Sequence, residues 1–216
     1  MNKVDLFKLH KADYIAPKKP QICYVANAHY LAIDGVGGPA EDNFNDAVAA
    51  LYAIAYTVKM TRKKHNLGDY VICKLEARYW SINEECLSKQ DKSKWHWQLM
   101  IRTPSQVEIS DIKQAAMALT TKGKTNSVNK VKLIEYEFSH CIQMLHVGSY
   151  EEENRTIEQM QAFATAHQLT ATGEHCEIYI SDPRRIPPER LKTILRMPVQ
   201  SSSVVKNIAS INKLTE

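Results

Sequence analysis

Several features that mark whole classes of protein are missing from this sequence. Its 216 residues include only seven glycines and eight prolines, too few for long disordered stretches. The opening stretch, MNKVDLFKLHKADYIAPKKP, holds no apolar run of the length found in signal peptides. No later segment has the apolar length of a membrane span. These absences predict an ordinary globular protein of the cytoplasm that has no membrane partner.

Metal-binding and nucleophile motifs are missing as well. The sequence has no C-x-x-C pair and no G-x-S-x-G motif, and His140 and His146 are too far apart along one strand to chelate a metal together. We therefore predict no metal, no cofactor and no covalent catalysis. The simplest interpretation of the cysteines is that they are buried thiols: Cys23, Cys73, Cys86, Cys141 and Cys176.

A large excess of positive or negative charge is also missing. The formal net charge is +4, and the basic clusters, such as Arg62-Lys63-Lys64 and Arg184-Arg185, are short and interspersed with acidic residues. A nucleic-acid partner requires a continuous basic face, so none is expected. The glycine-rich DGVGGP stretch lacks the residues that complete a nucleotide-binding motif, which favours a simple turn between a strand and a helix.

The order of elements predicts an α+β fold. In the first half, QICYVANAHYLAIDGVGGP is predicted to be one strand and AEDNFNDAVAALYAIAYTVKM a helix, because apolar residues recur at helical spacing. Two strands, DYVICKLEARYW and WHWQLMIRTP, follow on either side of a polar loop. A second helix, VEISDIKQAAMALTTKG, closes this half.

The second half repeats this order. LIEYEFSHCIQMLHVGSY is predicted to be one strand, NRTIEQMQAFATAHQ a helix and HCEIYISDP a strand. A last short helix is expected to begin at Pro187-Pro188 and run through ERLKTIL. The sequence thus predicts tandem β-α-β-β units, with pseudo-repeats at about residues 20–125 and 126–199 of one domain (residues 1–199), followed by a weakly ordered polar tail (residues 200–216).

Alternation along two strands singles out a few polar and aromatic residues. Ile178 and Ile180 are expected to face the helices, which leaves Glu177 and Tyr179 on the opposite face. In KLEARYW the same argument puts Glu76, Arg78 and Trp80 on the open face. A carboxylate among aromatic side chains can attract a cation or act as a general base on water, but an exposed strand position explains Glu177 equally well. The tryptophans Trp95 and Trp97 share a face with Leu99 and Ile101, so they can equally be core residues.

Seven stretches of the sequence together form a recognisable set: APKKP, LAIDGVGGP, AVAALYAIAYTVKM, KLEARYW, WHWQLMIRTP, MLHVGSY and EIYISDPRRIPPERLKTILRMPV. Through these stretches the chain resembles the GyrI-like small-molecule-binding superfamily, in its stand-alone branch. The resemblance implies pseudo-twofold symmetry of the duplicated units around a central pocket. It also places Glu177 in that pocket, with Tyr179 beside it.

Some stand-alone members of this superfamily hydrolyse cyclopropane-bearing, DNA-alkylating natural products. The resemblance therefore implies that Glu177 acts as a base and that Tyr179 hydrogen-bonds the water or the developing oxyanion. It further implies that a flat hydrophobic or cationic ligand is bound by Trp80, Trp97, Tyr56, Glu76, Arg78 and Met100. Arg78 departs from the family pattern, which commonly has a small glycine-containing segment there, and its guanidinium can narrow the pocket.

A second class of function is compatible with the same residues. The protein can be a non-catalytic module that sequesters drugs or docks on a protein partner, as some family members do with a topoisomerase. Either a monomer or a homodimer would serve. A desolvated Glu177 with water in reach favours the enzyme, whereas an ion pair between Glu177 and Arg78 favours the binding module.

Overall fold

The computed structural model describes most of the chain, namely residues 3–39, 41–81, 91–124, 126–137, 140–172 and 174–201. Its contacts separate two compact units. Met1–Tyr14 and Asn27–Glu137 form the first unit, and Ile15–Ala26 and Phe138–Glu216 form the second. Most of the predicted tail, residues 202–216, lies outside the described residues, as do residues 82–90 of the polar loop.

The first unit is an antiparallel sheet with helices. Its described helices and strands are α1 (Leu6–Leu9), β2 (Ala28–Val36), α2 (Asp42–Lys64), β3 (Leu75–Trp80), β4 (His96–Arg102), α3 (Ile109–Thr121) and β5 (Lys132–Tyr136). The strands are ordered β3-β4-β2-β5, and each neighbouring pair is antiparallel. Both predicted helices are therefore confirmed, and the predicted pair of strands is present as β3 and β4, although β3 begins only at Leu75 and not at the start of DYVICKLEARYW.

The core of the first unit forms between α2 and one face of this sheet. Phe44, Leu51 and Val58 of α2 are buried, as their helical spacing predicts. Trp97 of β4 is 1% exposed, and its ring lies edge-on to Phe44 at 5.2 Å between centroids. Gly35 lies opposite Trp97 in the β2–β4 ladder, where a Cβ would come within 2.1 Å of the indole. Glycine is therefore needed at position 35 so that the indole can cross the strand.

The second unit is also α+β. Its described helix and strands are β1 (Gln21–Tyr24), β6 (His140–Val147), α4 (Glu153–Ala166), β7 (Leu169–Ala171), β8 (His175–Tyr179) and β9 (Lys192–Ser201). Its strands run in the order β1-β6-β9-β8, and β7 also pairs with β9; all these pairs are antiparallel. Helix α4 packs through Met160 and Ala164 on Ile142, Met144 and Leu195, and the partly buried Ile157 and Phe163 lie against this cluster.

Two long strands predicted from the sequence are in fact divided. The segment 21–39 forms β1 and β2, which belong to different units, and the segment 133–150 forms β5 and β6, which also belong to different units. The strand β5, which the proposed repeat boundary assigned to the second half, pairs with β2 of the first unit. Local alternation cannot detect these breaks, because the strand pattern continues through them while the pairing partners change.

The predicted last helix is wrong. Only a short 3-10 turn, Pro188–Arg190, follows the prolines, and the chain then forms β9, whose central residues Thr193, Ile194 and Leu195 are buried. This strand pairs with β6 on one side and with β8 on the other. Such pairing with distant residues overrides the helix-forming residues in ERLKTIL, because each ladder supplies hydrogen bonds and burial that an exposed helix lacks.

No helix among the described residues is both long and apolar enough to cross a bilayer.

Candidate functional site in the second unit

Glu177 lies on the helix-facing side of its sheet, so the predicted face is wrong. In the ladders it stands opposite Leu195, which in turn stands opposite Met144, and both of these pack on α4. Directly opposed residues share a face, so Glu177 shares this one. Ile178 takes the other face and is also buried, at 1% exposed. Alternation failed here because both faces of β8 are covered, which leaves no exposed face to identify.

The Glu177 carboxylate is buried beside a tyrosine. It is 8% exposed, and the Tyr179 hydroxyl donates a hydrogen bond to its Oε2 atom at 2.7 Å. The two residues are two positions apart on β8, so their side chains lie on the same face. The structure thus brings together the two residues to which the sequence analysis gave catalytic roles.

His175 adds an imidazole to the other side of the same carboxylate. Its Nε2 atom lies 3.5 Å from Oε1 of Glu177 and makes no hydrogen bond within the described residues. Like Glu177 and Tyr179, it belongs to the odd-numbered face of β8. The carboxylate therefore has one oxygen held by a phenol and a second oxygen that is not hydrogen-bonded to the imidazole.

Tyr150 completes this group, although the sequence analysis did not single it out. Its ring stands edge-on to Tyr179 with 5.9 Å between centroids, and 38% of the residue is exposed. Burial raises the pKa of its phenol to about 12, and the negative charges of Glu177, Glu153 and Asp182 add to the effect. The Tyr150 hydroxyl therefore keeps its proton at neutral pH and is available as a hydrogen-bond donor.

A buried histidine holds the turn that carries Tyr150. Nε2 of His146 donates to the Ser149 carbonyl at 2.9 Å, and because a carbonyl can only accept, Nδ1 is left to accept from the Thr156 hydroxyl, also at 2.9 Å. Gly148 lies in the chain between His146 and Ser149, and its φ is +149°. A side chain at this position would be strained and would crowd His146. The glycine of MLHVGSY, two residues before Tyr150, is therefore the sequence feature that could have pointed to this turn and to Tyr150.

The electrostatic link between Glu177 and Tyr150 gives a first testable prediction. Glu177→Gln removes a negative charge near the phenol, so the pKa of Tyr150 should fall below its wild-type value of about 12 while staying above its ordinary value, because burial persists. The measurement is a pH titration of tyrosine ring carbons by NMR, with the signal assigned through Tyr150→Phe. Glu158→Gln, an exposed position on α4, should leave the titration unchanged. A wild-type Tyr150 that titrates like a free tyrosine would contradict the described geometry.

In the first unit, Glu76 is engaged by tyrosines. It is 3% exposed and accepts hydrogen bonds from the hydroxyls of Tyr14 at 3.2 Å and Tyr30 at 3.5 Å. Arg102, on the same sheet face, donates to Asp13 at 2.7 Å. Together these contacts fasten the 3-10 turn Lys11–Tyr14 to the sheet. Glu76 thus has a clear anchoring function, and its part in ligand binding stays a prediction.

Arg78 and Trp80 lie on the face expected from the sequence. The Arg78 guanidinium stands 4.1 Å from the centre of the Tyr136 ring and 5.9 Å from that of Trp80, both within the range of cation–π contacts. The Trp80 ring lies 5.8 Å from that of His96. Arg78 and Trp80 are both partly exposed, so this aromatic and cationic group presents side chains that a planar molecule can contact.

The remaining predicted ligand residues have different surroundings. Met100 stands opposite Glu76 in the β3–β4 ladder and is 1% exposed. Tyr56 is exposed on α2, where its ring stacks on that of Tyr52. Trp97 packs between α2 and Gly35, which is the core position that the sequence analysis held as the alternative to stacking on a ligand. Among the described residues there is no group of three or more histidine, cysteine or acidic side chains that could hold a metal ion.

Comparison with known proteins relates most of the chain to one family. The model of the GyrI-like small molecule binding domain matches residues 18–200. An uncharacterized conserved protein from Listeria innocua is 36% identical with a TM-score of 0.85, and a hydrolase from Listeria innocua is 34% identical with a TM-score of 0.82; both matches cover 92% of this chain and 100% of the other. The EcmrR C-terminal domain, at 8% identity and a TM-score of 0.55 over 85% of this chain and 98% of its own, shares the fold alone. No curated protein matched the sequence.

Proposed function

The chain belongs to the GyrI-like small molecule binding domain family, and we propose that it binds flat hydrophobic or cationic molecules and hydrolyses reactive, cyclopropane-bearing ones. In this proposal the reaction serves to detoxify such compounds in the cytoplasm. The observation that carries it is the buried Glu177 carboxylate, hydrogen-bonded by Tyr179 and flanked by Tyr150. The 34% identity to a Listeria innocua hydrolase over its whole length supports the same class of reaction.

Glu177 has the properties that a general base for water requires. Its side chain is removed from bulk solvent, and only one of its oxygens is hydrogen-bonded by Tyr179. The other oxygen, Oε1, can accept a proton from a water molecule that attacks a ring carbon of the cyclopropane. As the new C–O bond forms, one C–C bond of the strained ring breaks, and its electron pair moves into the conjugated system of the substrate.

The developing negative charge then needs a hydrogen-bond donor. Tyr150 is suited to this task because its phenol carries a proton at neutral pH, its ring lies against that of Tyr179, and 38% of the residue remains exposed. Tyr179 is already committed to Glu177 and orients the carboxylate. The phenol that stabilises the phenolate is therefore Tyr150 in our proposal, and Tyr179 positions the base.

Binding of a planar ligand by the first unit is a separate part of the proposal. Trp80 and Arg78 are the residues best suited to it, because both are partly exposed and form one aromatic and cationic group with Tyr136. An indole face and a guanidinium plane both stack on flat aromatic molecules. We assign weaker contributions to Tyr56, Glu76, Met100 and Trp97. The Tyr56 ring is exposed and stacks on Tyr52, and Glu76 accepts a hydrogen bond from Tyr14. Met100 is buried, and Trp97 packs against Phe44.

The test is an assay of the purified protein with a cyclopropane-bearing DNA alkylator. We expect mass spectrometry to show a product that has gained one water, at a rate well above that of spontaneous hydrolysis. Tyr179→Phe should lower the rate by roughly 10- to 100-fold, because the base loses the hydrogen bond that orients it. Tyr24→Phe, which alters an exposed tyrosine of β1, is the matched control and should react like the wild type.

The same assay distinguishes hydrolysis from the competing, non-catalytic functions. If the alkylator binds, as measured by quenching of tryptophan fluorescence, and no product forms in any variant, the protein is a sequestering module and the enzymatic proposal fails. If neither binding nor turnover occurs, docking on a protein partner becomes the better explanation.

A further inference from the structure

The pairing of β1 with β6 places two cysteines directly opposite each other. Cys23 stands across from Cys141 in this antiparallel ladder. Opposed residues of antiparallel strands point to the same face, and their Cα atoms are about 4.5 to 5.5 Å apart. Disulfides span Cα separations of about 4.4 to 6.8 Å, so the backbone here already has the spacing of a disulfide, although neither cysteine forms one in the structure.

The two thiols differ in their access to solvent. Cys23 is half-buried on β1, which pairs only with β6 among the described strands, whereas Cys141 is fully buried at 0% exposed. A small oxidant can therefore reach Cys23 but cannot reach Cys141 from outside. Redox-sensing cysteines are accessible to solvent and lie next to a resolving cysteine, and Cys23 meets both of these conditions.

No other described cysteine competes for either thiol in the second unit. Cys176 lies on β8, and β9 runs between β8 and β6, so Cys176 and Cys141 are two strand spacings apart, about 10 Å. In the ladder Cys176 stands opposite Arg196, not opposite a cysteine. The register alone therefore selects the Cys23–Cys141 pair.

We propose that Cys23 and Cys141 form a redox modification site that hydrogen peroxide converts to an intramolecular disulfide. The Cys23 thiolate attacks one peroxide oxygen, the O–O bond breaks, and after proton transfer Cys23 is a sulfenic acid and one water has left. The Cys141 sulfur then attacks the Cys23 sulfur and displaces the hydroxyl as a second water. In total, two thiols and one peroxide give one disulfide and two waters.

The disulfide ties the edge strand β1 to the interior of its sheet. It closes a loop of roughly 120 residues, and a long closed loop restricts the unfolded chain strongly. The oxidised protein should therefore melt at a temperature higher by about 10 °C than the reduced protein. This site is independent of the proposed hydrolysis, so each can fail without the other.

The experiment exposes the fully reduced, folded protein to hydrogen peroxide and then blocks the remaining thiols with an alkylating agent. We expect an intact mass lower by about 2 Da before alkylation, two fewer alkylated thiols, and one cross-linked peptide pair that contains Cys23 and Cys141. Cys23→Ser should abolish the cross-link. Cys176→Ser and Cys73→Ser keep both members of the pair and should form it at the wild-type rate.

Two results would overturn the proposal. One is a Cys23 that is oxidised to the sulfinic acid while Cys141 stays a thiol, because the two sulfurs would then not meet. The other is a cross-link that forms only after denaturant is added, because it would not report the native register. Circular dichroism of Cys23→Ser and of Cys141→Ala shows whether the variants are folded, so that loss of the cross-link is not mistaken for loss of structure.

Discussion

Glu177→Gln is expected to lower the rate of cyclopropane hydrolysis by about 1,000-fold, which is within the usual contribution of a general base. Glutamine has the shape of glutamate and still accepts the hydrogen bond that the Tyr179 hydroxyl donates at 2.7 Å. It cannot, however, take a proton from water. The ligand should therefore still bind, and the loss should appear in kcat with little change in KM. The measurement is the rate of formation of the ring-opened product.

The matched control for this variant is Glu158→Gln. Glu158 lies on the exposed side of α4, so its substitution makes the same chemical change away from the carboxylate, and activity should be retained. Thermal melts of both variants should stay close to that of the wild type, since neither substitution creates a cavity. Turnover by Glu177→Gln at the wild-type rate would show that Glu177 is not the base, even if the protein is a hydrolase.

Trp97→Ala is expected to destabilise the protein by about 3 to 5 kcal/mol, the usual cost of removing a large aromatic side chain from a core. The indole is 1% exposed, lies edge-on to Phe44 of α2, and fills the space over Gly35. Removing the indole leaves a cavity. Gly35, which lies against the indole, has no side chain that could fill this cavity. The measurement is the midpoint of urea denaturation followed by circular dichroism, at an unchanged m-value.

Trp80→Ala is the control that separates the core from the ligand face. Trp80 is only half-buried and lies on the opposite face of the sheet, so we expect a loss of about 1 kcal/mol. The affinity for a planar ligand should instead fall more in Trp80→Ala than in Trp97→Ala. A loss below about 1 kcal/mol in Trp97→Ala would contradict the described packing, and Trp97→Phe provides a milder variant if Trp97→Ala does not fold.

Parts of the site could be read from the sequence and others could not. Glu177 and Tyr179 share a face because they are two residues apart on one strand, and the structure confirms this. The identity of that face could not be predicted, because Ile178 is buried as well. Tyr150 was missed since a turn held by His146 brings its ring to Tyr179, and no periodicity reports a contact of this kind.

The sequence by itself determined the α+β class, the helices α2, α3 and α4, and the adjoining strands β3 and β4. These elements depend on periodic burial and on turns, which are properties of neighbouring residues. Only the tertiary structure decided that residues 192–201 form a strand, and that Glu177 faces α4. Both outcomes depend on ladders with residues far away in the chain, such as Met144 opposite Leu195. The hydrogen bonds and buried surface of those ladders outweigh local preference, because a strand gains its stability from partners that its own sequence does not contain.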